Sequence, residues 1–477
     1  MKLNLTKKYK KLIIFFLISL LFKPIWLFNN QDLGKLGNDD LSYWLHSATI
    51  VYDYDIDYTD DYEVDFGIFN KETNTPYHPP GPGYLSSPFV FLFSFFDAEE
   101  PNRLNPVGSF AYLGYFFSSL FYFLLGTFFV IKTLHKKELF NKNSILIFAI
   151  LTGTIAHYVT TRFVMGHAAE YFLCAALCYL YEGRESYLER NNLLMISIVY
   201  FLLSVTRPST FIYSLCLLIF YLKKKDYKIK NFLNILLNFS IIGSLHIFLS
   251  MKLYNKLTIY QNYGTNLTEQ GYGEVGTLTI FQNTPKLVNL FFSPSMGLFW
   301  TIPVIFFGMV AILLNKNYLK ERNIISNIFL FFYIYGAMIV VIVWEGREVS
   351  FGQRLLIGLI PFFAIRIGEF IKNKNFYIAF RISTVISYVG YLYFYTSENL
   401  TLKEGKSLWG RTVGFAGEDY FIFLFKEILH FENILSFLAR TIYSVNLFSF
   451  MSLDRFLNLI RLENILPKDK IIAFSEL

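Results

Sequence analysis

Two adjacent carboxylates, Asp39 and Asp40, stand about ten residues beyond a very apolar N-terminal segment, in the stretch GNDDLSYWLHSA (Gly37–Ala48). Carboxylates can take a proton from a reacting hydroxyl or amine, or hold a divalent cation. The residues that follow place apolar side chains at three- and four-residue spacing, which predicts an amphipathic helix. One of the two carboxylates could instead cap that helix.

Other polar residues that could do chemistry lie at predicted ends of apolar segments, on the same side as this pair. They are His78, Arg162, His167, Glu170, Arg207, Glu345, Arg347, Glu348 and Arg354. Charged groups at membrane depth are costly and usually line a cavity or a polar path. A guanidinium matches phosphate oxygens, and a carboxylate can deprotonate an acceptor. The combination predicts the transfer of a group from a lipid phosphate to a hydroxyl or an amine.

Structural roles compete for several of these residues. Arg162 and Arg207 lie near predicted helix ends and could extend to lipid headgroups. His167 could be an ordinary polar residue at a helix end. Arg354 begins a predicted helix, where a cation is slightly unfavourable with the helix dipole, so a specific partner is expected there.

The elements that must position these groups are apolar helices. Of 477 residues, 54% are hydrophobic, 19% are aromatic and only 17% are charged, whereas a soluble domain is about 25% charged. A bilayer and its interface accept the 54 Phe and 34 Tyr. The net charge of +7 is read as loop charge that orients the protein, so no nucleic-acid partner is expected. The chain is predicted to be an all-α polytopic membrane protein.

Membrane spans need about 20 apolar residues each, and about 11–13 are predicted here. The first is the N-terminal segment, read as a retained helix because no small-residue cleavage site follows it. The other candidates are Pro106–Lys132, Ser144–Thr161, His167–Tyr181, Leu193–Val205, Thr210–Leu222, Phe232–Leu253, Gly297–Leu314, Ile324–Val343, Leu355–Ile371 and Phe376–Tyr395, with weaker segments at Phe421–Phe431 and Ile434–Met451.

Loop charge sets the predicted orientation. The basic loops fall on the same side as the basic N-terminus, which the positive-inside rule makes cytoplasmic. The long loop 29–105 falls outside and holds 14 Asp and Glu against three basic residues. Its aromatic content argues against disorder, and its amphipathic helix is expected to lie flat on the outer face. In a bacterium this predicts a protein of the inner membrane with its site facing the periplasm or exterior.

A metal site is a further alternative. The stretch Asp53–Phe66 has Asp53, Asp55 and Asp57 at the spacing of a calcium loop, but Tyr58 replaces the required Gly and Val64 the required Glu. The calcium-loop interpretation therefore fails. A looser divalent-cation site, or an acidic surface that binds the acceptor, stays open, and no cofactor is certain.

Seven stretches, in this order, resemble one known family. They are NDDLSYW, YDYDIDYTDDY, HPPGPGYLSSP, MGHAAEYFLCAALCYL, TRPS, NLFFSPSMGLFWTIPV and SFGQRLLIGLIPF. Together they resemble bacterial GT-C-fold glycosyltransferases that use polyprenyl-phosphate sugars, relatives of protein mannosyltransferases and of the aminoarabinose transferase of lipid A. The resemblance covers roughly residues 12–370.

The resemblance implies a GT-C catalytic module over residues 1–370, with loop 29–105 included, and C-terminal membrane helices and a tail of unknown role over 371–477. It implies an inverting transfer of one sugar from a polyprenyl-phosphate donor to a glycan, lipid or protein acceptor at the external membrane face. Asp39 would be the base and Asp40 would support it or bind a metal.

By the motif match, His167, Arg207 and Arg354 would lie near the donor phosphate, and Arg347 belongs to the same set of external arginines. His78, Arg162, Glu170 and Glu345 are further cavity candidates. Two other classes of membrane protein stay open: a lipid-linked glycan polymerase or ligase, and a lipid-linked glycan transporter or flippase.

Overall fold

The computed structural model describes most of the helices predicted between residues 38 and 403. The described residues are 38–58, 75–139, 144–160, 162–182, 190–208, 210–211, 229–255, 257, 291–292, 297–314, 354–403, 434–435 and 438. Within them the chain is mostly helical and has no β-strand, which confirms the all-α class. The predicted first membrane helix, residues 1–28, lies outside the described residues.

The helices are named here in chain order. They are α1 (Asn38–Tyr52), α2 (Gly81–Ser94), α3 (Phe110–Lys136), α4 (Ser144–Thr152), α5 (Thr154–Thr160), α6 (His167–Glu182), α7 (Arg190–Thr206), α8 (Ile229–Tyr254), α9 (Leu298–Thr301), α10 (Pro303–Leu314), a 3-10 helix (Arg354–Leu359), α11 (Ile360–Phe370) and α12 (Lys374–Lys403).

One helix of the described part of the chain, α3, is long and apolar enough to cross a membrane. Ser109 caps its first turn by accepting from the backbone N–H of Tyr112, and His135 and Lys136 lie in the last turn, where a cation suits the helix dipole. Shorter apolar helices lie at α7, α8 and α10. The larger number of spans stays a prediction. The predicted span Ser144–Thr161 is two short helices, α4 and α5, divided at Gly153.

Helices α3 and α6 run side by side in the same direction. At one end the Phe163 ring contacts the Tyr112 ring, with centroids 4.9 Å apart. Further along, the Tyr179 ring stacks on Phe129 at 5.2 Å. Aromatic rings therefore make much of the contact between the two helices, and such rings bury large apolar areas.

Four charged side chains form a cluster at one end of this bundle, which we call the lower charge cluster. They are Lys137, Glu182, Arg366 and Glu369. Lys137 at the end of α3 pairs with Glu182 of α6 and with Glu369 of α11, the latter at 2.8 Å. Arg366 of α11 contacts Glu182 and bridges Glu369 at 2.9 Å. The Arg366 and Glu182 side chains are 3% and 4% exposed, so each charge depends on its partners rather than on water.

Helix α1 is enclosed by protein rather than lying flat on an outer face. The predicted apolar stripe is buried, with Trp44, Leu45 and Ala48 fully so, which confirms the helix and its apolar side. The opposite side is buried as well, because α2 packs on it. Its buried polar groups are hydrogen-bonded. For example, the Ser42 hydroxyl accepts from the backbone N–H of His78.

Candidate functional site

The site lies at the end of the α3–α6 bundle opposite the lower charge cluster. Along α6 the two are about 22 Å apart, from His167 to Glu182 at 1.5 Å per residue. Five segments of the chain carry its charged and titratable groups. These are the first turn of α1, His78 before α2, the segment from Arg162 into α6, Arg207 just after α7, and the 3-10 helix that begins at Arg354.

Asp39 lies at the centre of the first group of contacts. Its Oδ2 accepts a hydrogen bond from Arg354 Nη1 at 3.3 Å, although the two residues are 315 positions apart. Its Oδ1 is 3.6 Å from His78 Nε2. The Asp39 side chain is 35% exposed, whereas Arg354 is 17% exposed and His78 is 12% exposed. Asp39 is therefore a carboxylate held between basic groups and still accessible from outside.

The charges around Asp39 decide its protonation. Burial raises the pKa of the Asp39 carboxyl, but His78, Arg354 and Arg162 lower it by more, so the pKa lies below its ordinary value. For Asp40 the balance is reversed. Burial raises its pKa more than Arg162 lowers it. Two adjacent carboxyls thus differ in their environments, and their pKa values shift in opposite directions, down for Asp39 and up for Asp40.

Asp40 is bound by Arg162. Its Oδ2 accepts from Arg162 Nε at 3.0 Å and from Nη2 at 2.7 Å. The other oxygen, Oδ1, is buried and has no hydrogen-bond partner among the described residues. Arg162 therefore contacts protein rather than headgroups, and Asp40 fixes the position of α1 against the loop before α6. Its Oδ2 is used for this pairing, and its role beside the proposed base stays a prediction.

Glu170 forms the second group of contacts. It is fully buried in the first turn of α6 and accepts from Thr210 Oγ1 at 2.5 Å. His167 Nδ1 is 3.1 Å from its Oε2, and Arg207 Nε is 3.6 Å from the same oxygen. A buried carboxylate needs such partners. Glu170 thereby fixes the positions of the His167 and Arg207 side chains.

The 3-10 helix and Tyr43 join the two groups. Arg354 Nη1, which contacts Asp39, is also 3.6 Å from the sulfur of Met165, just before α6. Gly358 of the same 3-10 helix lies directly against Glu170. Burial raises the pKa of Tyr43 to about 12, and this hydroxyl is within electrostatic range of Arg207, Asp39, Arg354 and Glu170. The two groups therefore form one continuous site.

The structure brings together eight of the eleven predicted site residues. They are Asp39, Asp40, His78, Arg162, His167, Glu170, Arg207 and Arg354. Glu345, Arg347 and Glu348 lie outside the described residues. Tyr43 and Thr210 were not predicted, although Tyr43 is four positions after Asp39 and therefore shares its helix face. The position of Thr210 gave no comparable signal.

Asp53 and Asp55, in the acidic stretch after α1, make structural contacts within the protein. Asp53 makes a two-pronged ion pair with Arg103, at 2.5 and 2.6 Å. Asp55 accepts from the backbone N–H of Asp57 at 2.9 Å. In the part of the chain that the structure describes, no three His, Cys, Asp or Glu side chains are grouped so that they could hold a metal ion.

Comparison of the chain with protein families, curated proteins and solved structures finds no match. The function has to be argued from the site itself.

Gly358 allows the 3-10 helix to approach Glu170, and its replacement is a test of that packing. A Cβ at this position would lie 2.7 Å from Glu170 Oε1 and 2.8 Å from Thr210 Cγ2. We expect Gly358→Ala to destabilise the protein by about 1–3 kcal/mol, as overpacking does. Thermal unfolding in detergent micelles measures this. Gly243→Ala is the matched control, because nothing lies within 4 Å of its added Cβ. Equal melting temperatures for both variants would contradict the close approach.

Proposed function

We propose that the protein is an integral membrane glycosyltransferase of GT-C type. It moves one sugar from a polyprenyl-phosphate donor to an acceptor at the external, periplasmic face of a bacterial inner membrane, with inversion at the anomeric carbon. The observation that carries this proposal is the placement of an accessible carboxylate, Asp39, beside arginines supplied by separate segments of the chain. One site then holds both a proton acceptor and a phosphate clamp.

The reaction assigns a role to each group. The acceptor hydroxyl gives its proton to the base at Asp39, and its oxygen forms a bond to the anomeric carbon. The bond between that carbon and the phosphate oxygen breaks, and its electron pair stays on the polyprenyl phosphate. Arg354 and Arg207 stabilise the charge that develops on this phosphate, because guanidinium groups bind phosphate oxygens in two-pronged fashion. His167 lies beside Arg207 through their shared contact with Glu170.

The exposed apolar surface supports contact with lipid. Two faces carry large apolar side chains that are more than 40% exposed. The first, on α2 and α3, consists of Phe91, Leu92, Phe95, Phe96, Phe110 and Phe121, and the second, on α8, includes Leu236, Leu237, Ile241, Leu245 and Phe248. Groups of exposed apolar side chains such as these are typical of surfaces that contact lipid or another apolar partner. A lipid-linked donor in the bilayer can reach the site from such surroundings.

The position of the charged groups also bears on the class of protein. A transporter is expected to hold its polar groups near the bilayer midplane, between repeated halves. Here the charged site is at one end of the bundle and the lower charge cluster is at the other, with apolar packing between them. This arrangement favours chemistry at one face over passage through the membrane.

The test is incubation of the purified protein in lipid nanodiscs with a panel of radiolabelled polyprenyl-phosphate sugars, scored by transfer to membrane acceptors. We expect one donor to be used and free polyprenyl phosphate to be released. Movement of the intact donor to the opposite leaflet without loss of its sugar would instead indicate a flippase. Joining of whole lipid-linked glycans would indicate a polymerase or ligase.

The phosphate clamp has its own test, because donor binding is measured without turnover. We expect Arg207→Ala and Arg354→Ala each to weaken binding of the polyprenyl-phosphate sugar about 10- to 100-fold, as loss of one charge-assisted contact costs about 1.5–3 kcal/mol. Lys136→Ala, at the exposed opposite end of α3, is the control. Donor binding that survives both arginine changes would rule out the clamp.

A further inference from the structure

The outward face of α3 carries a line of apolar side chains that ends in a lysine. Phe110, Phe121, Phe128 and Lys132 fall on one face of the helix by their spacing. The two outermost rings, Phe110 and Phe121, are 48% and 47% exposed, and Phe128 and Lys132 are half-buried. On the opposite face Phe123 is fully buried. The line therefore faces away from the helix bundle.

The length of this line matches the thickness of a membrane. From Phe110 to Lys132 the helix rises about 33 Å at 1.5 Å per residue, and the hydrocarbon core of a bilayer is about 30 Å thick. Lys132 is the first charged residue of α3, so it lies at the depth of the headgroups, at the end of the helix opposite the candidate site. By the orientation predicted from loop charge, these headgroups belong to the cytoplasmic leaflet.

Two aromatic rings hold the Lys132 ammonium. Its Nζ is 4.8 Å from the ring centroid of Phe128 and 5.9 Å from that of Tyr179, which belongs to α6. The Tyr179 ring is fixed in turn, since it stacks on Phe129 with centroids 5.2 Å apart. Because a cation is attracted to the faces of aromatic rings, the ammonium is kept at the boundary between the two helices.

No carboxylate neutralises this ammonium. Among the described residues Lys132 forms no ion pair, whereas Lys137, further along the same helix, pairs with Glu182 and Glu369. The positive charge of Lys132 is therefore open to an anion from outside the chain. A lysine ammonium is a common ligand of phosphate groups.

We propose that this surface, the α3 lipid site (Phe121, Phe128, Lys132 and Tyr179), binds one anionic phospholipid of the cytoplasmic leaflet. The lipid phosphate accepts from the Lys132 ammonium, and an acyl chain lies along Phe128 and Phe121. These side chains span about 16 Å of helix from Phe121 to Lys132, and one leaflet contributes about 15 Å of hydrocarbon. Tyr179 lies at headgroup depth, where tyrosine is enriched in membrane proteins.

Charge favours an anionic phospholipid over the other occupants of such a face. A zwitterionic headgroup carries a cation of its own, which Lys132 repels, whereas the headgroup of phosphatidylglycerol carries none. A second copy of the chain, packed here about a two-fold axis, would bring two Lys132 ammoniums together. The donor phosphate is bound at the other end of α3, so this lipid is a different molecule, and the α3 lipid site does not depend on sugar transfer.

The experiment measures lipid binding to the whole chain by native mass spectrometry. Protein in detergent micelles is titrated with phosphatidylglycerol and, separately, with phosphatidylcholine, and the bound lipids are counted from the mass. We expect one phosphatidylglycerol to bind more tightly than further copies and more tightly than phosphatidylcholine. Lys132→Gln should weaken this first binding about fivefold, the attraction that one lysine gains at an anionic surface. Lys132→Arg keeps the charge and should bind like the wild type.

Lys374→Gln is the matched control, because it removes the same charge from an exposed position at the same end of the protein, in the first turn of α12. It should leave the first binding unchanged. Equal weakening by Lys132→Gln and Lys374→Gln would indicate general attraction to a basic surface and would overturn the α3 lipid site. Wild-type affinity in Lys132→Gln, or equal affinity for the two lipids, overturns it as well. A lipid-free dimer would show that a second copy covers this face instead.

Discussion

Asp39→Asn is expected to abolish sugar transfer, with at least a 10²- to 10⁴-fold loss of rate. Asn keeps the shape of the carboxylate and can still accept from Arg354, so the fold around α1 should survive. What is lost is the negative charge that receives the acceptor proton. The measurement is transfer from radiolabelled polyprenyl-phosphate sugar in nanodiscs, with expression and melting temperature followed in parallel.

Two companion variants make this result specific. Glu99→Gln removes an exposed carboxylate between α2 and α3 and should leave transfer unchanged. Asp40→Asn weakens the ion pair with Arg162 and should lower stability more than it lowers the rate of the surviving protein. Turnover of Asp39→Asn at the wild-type rate would remove Asp39 from the mechanism.

Arg366→Met is expected to cause the largest loss of stability. Arg366 is 3% exposed and connects Glu182 of α6 with Glu369 of α11. Its removal leaves Glu182, itself 4% exposed, with Lys137 as its remaining ion-pair partner among the described residues. Breaking a buried ion pair costs about 3–5 kcal/mol, because the buried carboxylate loses part of the charge that compensates it. We expect a loss of that size in the free energy of unfolding, measured by denaturation in detergent micelles.

The matched control is Arg381→Met, since Arg381 is an exposed arginine of α12. Its replacement should change stability by less than about 0.5 kcal/mol. The double variant Arg366→Met with Glu182→Met completes a cycle that isolates the pair, and its loss should be smaller than the sum of the two single losses. Additive effects would show that the lower charge cluster contributes no coupled stability.

The lower charge cluster was not predicted, although a signal for it existed. Arg366 and Glu369 stand three positions apart inside an apolar helix, a spacing that places both on one face. In the sequence, Lys137 falls in a basic stretch after the predicted span Pro106–Lys132, and Glu182 follows the predicted span His167–Tyr181. Nothing local states that these residues meet, because α3, α6 and α11 are distant in sequence.

The C-terminal hundred residues are described only in part. Helix α12 confirms the helical character of the predicted span Phe376–Tyr395 and extends beyond it at both ends. The weaker segments after residue 404 lie almost wholly outside the described residues, and their role stays as open as the sequence left it.

The sequence by itself determined the helical class, the helix that carries the acidic pair, and the choice of eight side chains that do come together. Composition and periodicity carry that information because helix formation and burial are local properties of the chain. Only the tertiary structure decided which partner each charge takes. It paired Asp39 with Arg354 over 315 positions and Asp40 with Arg162 over 122. Periodicity states which face of a helix is buried but not which helix it meets, so the difference between the two carboxylates arises only from packing.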